Sequence, residues 1–561
     1  MDYFDLHCHP TFKYSLLSAS AQERIKIDQP FEIRFKGAKE IIRGAVLWTL
    51  GDPIGAQSCL TQLAEGQARI ISHTLMALEN AYTKSSVISQ LQCVSNDLDI
   101  AKIDQIKTGA VGYWDSTLAQ LEALRNIADG TTPVSPAAPR LRIIHDMADF
   151  RPGEVGTQFV ILNLEGGHCF YKGQSNDDPD LEKNVLDHLI GMKRQGIRPL
   201  YITLVHHAQN AFANHAFAVP SRWAGAGTND DGIGGFNPTG EGITPLGERF
   251  IREALSEQNG PPIYIDVKHM SLGSRIAYYE FRRKNFPHIP IIASHMGVTG
   301  VSWNVTHFDG KPIVRWVRRR SDVSPVAPGE DFIEVKYNNL ISFPKNIPPL
   351  SPANPVPTSV VTFNPWSINL YDEDIVEILE SGGLIGLSLD VRILGMGNSG
   401  QVAHEHEPER LSLNEQLFSV HKHLATGQND FDALPDNRIQ ASLLHVEYLC
   451  NNLLHVVKIG RAVVGERVWD HLCIGSDFDG LVVAIEFRNN RRTHASNIPE
   501  LREQIRKALP VVARKMGIPL VGAGQPVEPF IEKVLNGLFF DNALQFLNKF
   551  FRKDPGPGPV V

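Results

Sequence analysis

Histidines and carboxylates stand at the ends of short apolar runs along this chain, and the chemistry such a set offers is the binding of divalent metal. The first group is Asp5-Leu6-His7-Cys8-His9, where two histidines one residue apart close a run. Side chains alternate faces along a strand, so His7 and His9 point the same way and their imidazoles can meet on one ion. Farther on, Phe159-Val160-Ile161-Leu162-Asn163-Leu164 stops at Glu165-Gly166-Gly167-His168. A carboxylate directly after a mostly apolar run is poorly placed for solvent and well placed for an ion, and the two glycines let the backbone turn sharply beside it. Two further runs close on Lys268-His269 and Ser294-His295, one β-α-β step apart. The last gives Cys473-Ile474-Gly475-Ser476-Asp477-Phe478-Asp479-Gly480. Asp477 follows its strand at once, where it can bind metal and take a proton from bound water. Asp479 is expected to organise the turn with Gly480.

The set His7, His9, Glu165, His269, His295 and Asp477 offers only nitrogen and oxygen, which suits Zn²⁺ or a similar divalent ion. It is too large for one tetrahedral site. With Glu165 bridging, His7, His9 and Asp477 can hold one ion while His269 and His295 hold another, ~3.5–4 Å away, and hydroxide between them would be the nucleophile.

The elements that must position these residues are eight short, β-rich runs near 2–7, 43–48, 158–164, 200–205, 263–268, 290–294, 384–389 and 471–476, most of them followed by a helical pattern. The clearest unit runs from Ile263-Tyr264-Ile265-Asp266-Val267 through a helix capped by Ser271 to Ile291-Ile292-Ala293. Another helix opens at Thr244-Pro245, a cap followed by proline at the first helical position. Strands alternating with helices predict an α/β fold, and eight such units favour a closed (β/α)₈ TIM barrel. An ordinary barrel needs about 250 residues. The 561 residues here therefore imply one barrel domain with long insertions over 1–551, followed by a flexible tail over 552–561. Insertions are expected near 49–140 (largely helical), 207–243 (Gly- and Asn-rich), 301–365 (Pro- and Arg-rich) and 391–436.

Composition narrows the partners. A net charge of -8 gives no basic footprint for nucleic acid, and the basic run Arg315-Trp316-Val317-Arg318-Arg319-Arg320 reads as a solvated face. No apolar run approaches the ~20 residues that span a bilayer. The six cysteines, without CxxC pairs, read as free thiols in a reducing compartment. No signal peptide precedes the first strand, so a cytoplasmic location is expected. The partner is a small-molecule substrate, with a homodimer left open.

Glu165-Gly166-Gly167, Ile202-Thr203-Leu204-Val205-His206, Gly242-Ile243-Thr244-Pro245-Leu246-Gly247, Ala293-Ser294-His295 and Gly475-Ser476-Asp477-Phe478-Asp479-Gly480 together resemble, in order and spacing, the membrane dipeptidase-like (renal dipeptidase) metallohydrolases of the amidohydrolase superfamily. The resemblance covers about half of the chain. It implies a zinc-dependent hydrolase of small amides, typically dipeptides, with Glu165 as the bridging carboxylate. It further implies that His206 polarises the scissile carbonyl and that Asp477 shuttles the proton to the leaving amine; His207 is the other histidine that could face inward there.

Two departures stand against the family pattern. The family usually has His-x-Asp on strand one, where this chain has His7-Cys8-His9. It also places an arginine shortly after the sixth-strand histidine to hold the substrate carboxylate, whereas His295 is followed by Met296-Gly297-Val298-Thr299-Gly300. Arg275, Arg315 and Arg318-Arg319-Arg320 are the remaining candidates. The alternatives to a dipeptidase are a hydrolase of a lactone, ester or non-peptide amide, and a non-catalytic metal-binding barrel. The cluster His404-Glu405-His406-Glu407 lies in an insertion with no strand to aim it and reads as a solvated loop.

Overall fold

The structure, a computed structural model, describes residues 2–34, 55–84, 92, 95–218, 236–323, 325–326, 330–338, 340, 361–395, 408–422, 445–480, 482–487, 492–522 and 524–552. Eight parallel strands follow one another around a barrel: β1 (Tyr3–Cys8), β2 (Ala68–Leu75), β3 (Thr157–Glu165), β4 (Pro199–Thr203), β5 (Tyr264–Asp266), β6 (Ile292–Met296), β7 (Leu384–Leu387) and β8 (Leu472–Ile474). All eight are buried, as strands enclosed by helices must be. Closure comes where β8 returns to β1: Asp477 N donates to His7 O at 2.9 Å and His9 N to Phe478 O at 2.9 Å.

Two seams carry few ladder bonds, and in each a buried aspartate reaches across. Asp5 on β1 accepts from Ser476 N at 2.9 Å and Ser476 Oγ at 2.6 Å. Asp266 on β5 likewise accepts from Ser294 N at 2.9 Å and Ser294 Oγ at 2.5 Å, beside a β5–β6 ladder that pairs only Asp266 with Ile292. Both carboxyls are raised by burial, against which these hydrogen bonds act.

Seven of the expected strands coincide with barrel strands. The eighth expectation, 43–48, falls outside the described residues, and the second barrel strand is Ala68–Leu75, within the stretch assigned to a helical insertion. Ser72, His73 and Thr74 interrupt its apolar run, although all three are buried in the fold. The described residues of that stretch also hold the helices Leu60–Glu65, Ile100–Thr108 and Tyr113–Ala128. Both expected caps form: Thr244 accepts from Gly247 N and Ser271 from Ser274 N.

Segments inserted after β6 and β7 build a separate antiparallel sheet from Val314–Arg319, Phe332–Tyr337 and Glu409–Ser412. The basic run lies on its edge, with Arg318 paired to Glu334 and Arg319 to Asp331. At the other end of the barrel, helix Asn542–Phe550 closes the floor. Its last carbonyls accept from Tyr264 Oη, Arg198 Nη2 and Met147 N, all near the entry ends of strands. The five described cysteines are buried and unpaired, and no described helix is long and apolar enough to cross a membrane. His404-Glu405-His406-Glu407 lies outside the described residues.

Candidate metal centre

At the C-terminal mouth of the barrel, where this fold keeps its chemistry, the four expected histidines converge on Glu165. Its Oε1 stands 3.3 Å from His7 Nε2, 3.3 Å from His269 Nε2 and 3.7 Å from His295 Nε2. Its Oε2 stands 3.1 Å from His9 Nε2 and 3.7 Å from His206 Nε2. Asp477 closes the ring, 3.8 Å from His7, 3.7 Å from His9 and 3.8 Å from His295. The histidines and Glu165 are almost wholly buried, whereas the Asp477 side chain keeps 14% of its exposure and marks the open side.

Local backbone sets these directions. Gly166 takes φ 89, which turns the chain directly behind Glu165. His269 (φ 65) and Asp477 (φ 60) occupy the left-handed region that non-glycine residues seldom adopt, a strain that accumulates at functional positions. Gly480 N donates to Asp477 O at 2.9 Å, closing the turn after β8. Asp479 does more than shape that turn: it accepts from Gln57 N, Ser58 N and Ser58 Oγ and pairs with Lys13 Nζ at 2.9 Å, tying the loop to segments beside β1.

Hydrogen bonding fixes which ring nitrogen faces the centre. Tyr201 Oη spends its one hydrogen on Leu6 O at 2.9 Å, so it accepts from His7 Nδ1 at 2.7 Å and leaves the His7 Nε2 lone pair pointing at Glu165. Ser294 Oγ does the same for His295: its hydrogen goes to Asp266, and it accepts from His295 Nδ1 at 2.8 Å. His206 Nδ1 donates to Glu79 Oε2 at 2.9 Å. His207, the alternative inward histidine, stacks on His206 with ring centroids 3.8 Å apart, and its Nδ1 hydrogen-bonds Tyr82 Oη.

The donor set suits a cation. Glu165 Oε1 is buried and makes no well-formed hydrogen bond although it faces imidazoles on several sides. His7 Nε2 and His9 Nε2 lie 3.0 Å apart, and His295 Nε2 and His269 Nε2 3.3 Å. Inward-facing ring nitrogens this close, with the lone pairs of His7 and His295 among them, are what a shared positive ion would relieve. The donor atoms of His7, His9 and Asp477 lie within 4.8 Å of one another, as do those of Glu165, His269 and His295. A third grouping, His7, Asp266 and His295, is taken up by the seam, because Asp266 already accepts from Thr203, Ser294 and Lys268 N.

Electrostatics follow the crowding. Burial raises the Glu165 carboxyl, but its imidazole neighbours, His7 and His206 foremost, outweigh it and hold the group well below the usual range. Burial drives His269 down to about 3 and raises Asp477. Lys268 is buried with no hydrogen-bond partner for Nζ among the described residues, and burial lowers it to about 8.

Sequence reasoning missed Glu79, Tyr82, Tyr201, Ser294 and Asp266. Glu79 and Tyr82 follow the true β2, and placing that strand elsewhere hid them. Tyr201, Ser294 and Asp266 sit within runs read only as strand, where no local signal separates an orienting residue from a packing one.

The fold and the site thus define a (β/α)₈ barrel with a buried histidine–carboxylate cluster at its mouth. No protein-family model matches the chain, and no curated protein matches it in sequence. It resembles a metallopeptidase from Rhodobacter sphaeroides, solved with a phosphinate mimic of the dipeptide L-Ala-D-Ala, at 14% identity over 98% of this chain and 99% of that one, with TM-score 0.46. A metallopeptidase described as the dipeptidase AC is similar at 14% identity, 98% and 99% coverage and TM-score 0.45. An amidohydrolase from Pseudomonas aeruginosa is similar at 10% identity, 88% and 92% coverage and TM-score 0.39. At such distances, what the site does must be argued from its own residues.

Proposed function

We propose that this chain is a metal-dependent hydrolase that binds two zinc ions and cleaves small amide bonds, in the manner of the membrane dipeptidase-like enzymes. The convergence of His7, His9, His269 and His295 on one buried carboxylate, Glu165, with Asp477 facing three of these histidines, carries this reading. His7, His9 and Asp477 would hold one ion, His269 and His295 the other, with Glu165 between them. Bound there, the ions supply Lewis acidity toward a carbonyl and toward water.

The chain's own groups then divide the work. Asp477, on the open side and raised by burial, takes a proton from the attacking water and passes it to the leaving amine. Burial lowers the His206 ring, but the charges of Glu79 and Glu165 outweigh it and raise it, so the ring that donates Nδ1–H to Glu79 also carries hydrogen on Nε2. It presents that N–H to the carbonyl oxygen as the oxygen gains negative charge. Tyr201 and Ser294 keep the lone pairs of His7 and His295 aimed inward throughout.

A second reading, hydrolysis of a lactone, ester or non-peptide amide, is favoured by the fate of the candidate carboxylate-binding arginines. Arg275 is fully buried in an ion pair with Asp374 at 2.9 Å, and Arg318 and Arg319 sit on the outer sheet. The cations whose charge reaches Asp477 are instead Lys268 and Arg392, and Arg392 is paired with Asp390. Elemental analysis of the purified chain, with dipeptides screened against lactones and acyl amino acids, tests both. Two zinc ions per chain and dipeptide turnover are expected; turnover of lactones alone selects the second reading, and a metal-free, inert protein refutes both.

A further inference from the structure

The short stretch after β2 sorts two adjacent histidines. Glu79 takes His206, and Tyr82, on the one-turn helix Asn80–Thr83, takes His207. Glu79 is 3% exposed and accepts from three donors: His206 Nδ1 at 2.9 Å on Oε2, and His207 N at 3.1 Å and Ala208 N at 3.0 Å on Oε1. β3 lies between β2 and β4, so this carboxylate passes over the end of β3, where Glu165 stands, to grip the loop after β4. The result is a line of groups: Glu79 Oε2, the His206 ring, then Glu165 Oε2 at 3.7 Å from His206 Nε2.

We propose that Glu79 is a positioning residue that holds the His206 ring with Nδ1 turned away and Nε2 turned into the chamber, and so decides which of the paired histidines meets the substrate carbonyl. The inference rests on the hydrolase reading for the role of His206. Its geometric content does not: a carboxylate can only accept, so the nitrogen facing Glu79 must carry hydrogen. The two backbone bonds to Oε1 lock the loop at 207–208, and the one side-chain bond to Oε2 locks the ring. Glutamine at this position has one acceptor where glutamate has two. Serving the two backbone amides with its oxygen turns its NH₂ group toward His206 Nδ1, which must then present a lone pair.

The test uses the full-length, zinc-loaded protein labelled with ¹⁵N-histidine, the His206 signals being assigned by their absence from H206N. Wild type should show Nδ1 of His206 in the protonated range, and E79Q should lose that signature. In steady-state kinetics on the best dipeptide of the screen, E79Q should lower kcat about 10–100-fold with little change in KM and with zinc content intact, as is typical when an orienting partner is removed. E79D, which keeps the charge but shortens the reach, should lose kcat in the same way. The E79Q change should add nothing in the H206N background. An unchanged His206 signature in E79Q, additive losses in the double variant, or loss of zinc from E79Q would each overturn the proposal. Full kcat in H206N would instead refute the role of His206 in hydrolysis, leaving the spectroscopic result to judge Glu79.

Discussion

His9 Nε2 stands 3.1 Å from Glu165 Oε2, so strand one brings two imidazoles, His7 and His9, to the cluster. The same His9 nitrogen also lies 3.0 Å from His7 Nε2 and 3.7 Å from Asp477, which makes His9 an integral member of the cluster. His9→Ala should therefore lose one ion per chain, whereas His9→Asp should keep two and shift preference toward harder, oxygen-seeking cations. Elemental analysis after equilibration with mixed zinc and manganese reads both outcomes.

Glu165 is the group that all the others face. Its replacement by glutamine keeps the volume but points an NH₂ group at inward imidazole nitrogens, so metal content and activity should fall together. Two retained ions per chain would show that the carboxylate does not bridge.

Asp477→Asn separates chemistry from architecture. Asparagine tolerates the left-handed backbone found here, φ 60, so the thermal midpoint should stay near that of the wild type. Turnover should drop about 100- to 10,000-fold, the range for a lost general acid–base group. Wild-type kcat in this variant would remove Asp477 from the mechanism.

Gly475 is required by packing. A Cβ there would lie 1.8 Å from the backbone oxygen of Ser294, which cannot move without parting β6 from its neighbours. Gly475→Ala should cost about 3 kcal/mol or more, at the upper end of overpacking penalties. Denaturant titration gives the number, and an unchanged midpoint would mean that the strands can separate cheaply.

Acid should weaken the fold through His421, far from the cluster. Its Nδ1 donates to Glu415 O at 2.8 Å and its Nε2 accepts from Tyr371 Oη at 3.1 Å, an arrangement that suits the neutral ring. Burial depresses it from 6.5 to about 4. A group depressed in the folded state contributes stability above its unfolded value, and that contribution is lost as pH falls through the folded one. About 3 kcal/mol should therefore disappear between pH 6.5 and 4. His421→Gln, which can donate and accept at the same points, should flatten that part of the stability curve; parallel curves would exclude the assignment.

The residues of the cluster were legible because each closes an apolar run, and a barrel brings the ends of such runs to one face whatever lies between them. β2 was not, because Ser72, His73 and Thr74 look solvent-exposed in sequence and become buried only once the barrel encloses them. The orienting residues stayed hidden for a different reason. Tyr201 acts on His7 because two strands far apart in sequence share the barrel interior, a relation that no spacing encodes.

The seam between β8 and β1 also governs timing. Asp5 and Ser476 are 471 positions apart, so the first strand leaves the ribosome on the order of half a minute or more before its partner is made. Through that interval His7 and His9 have no Asp477 beside them, and Asp5 has no serine to satisfy it. The cluster is completed only at the end of synthesis.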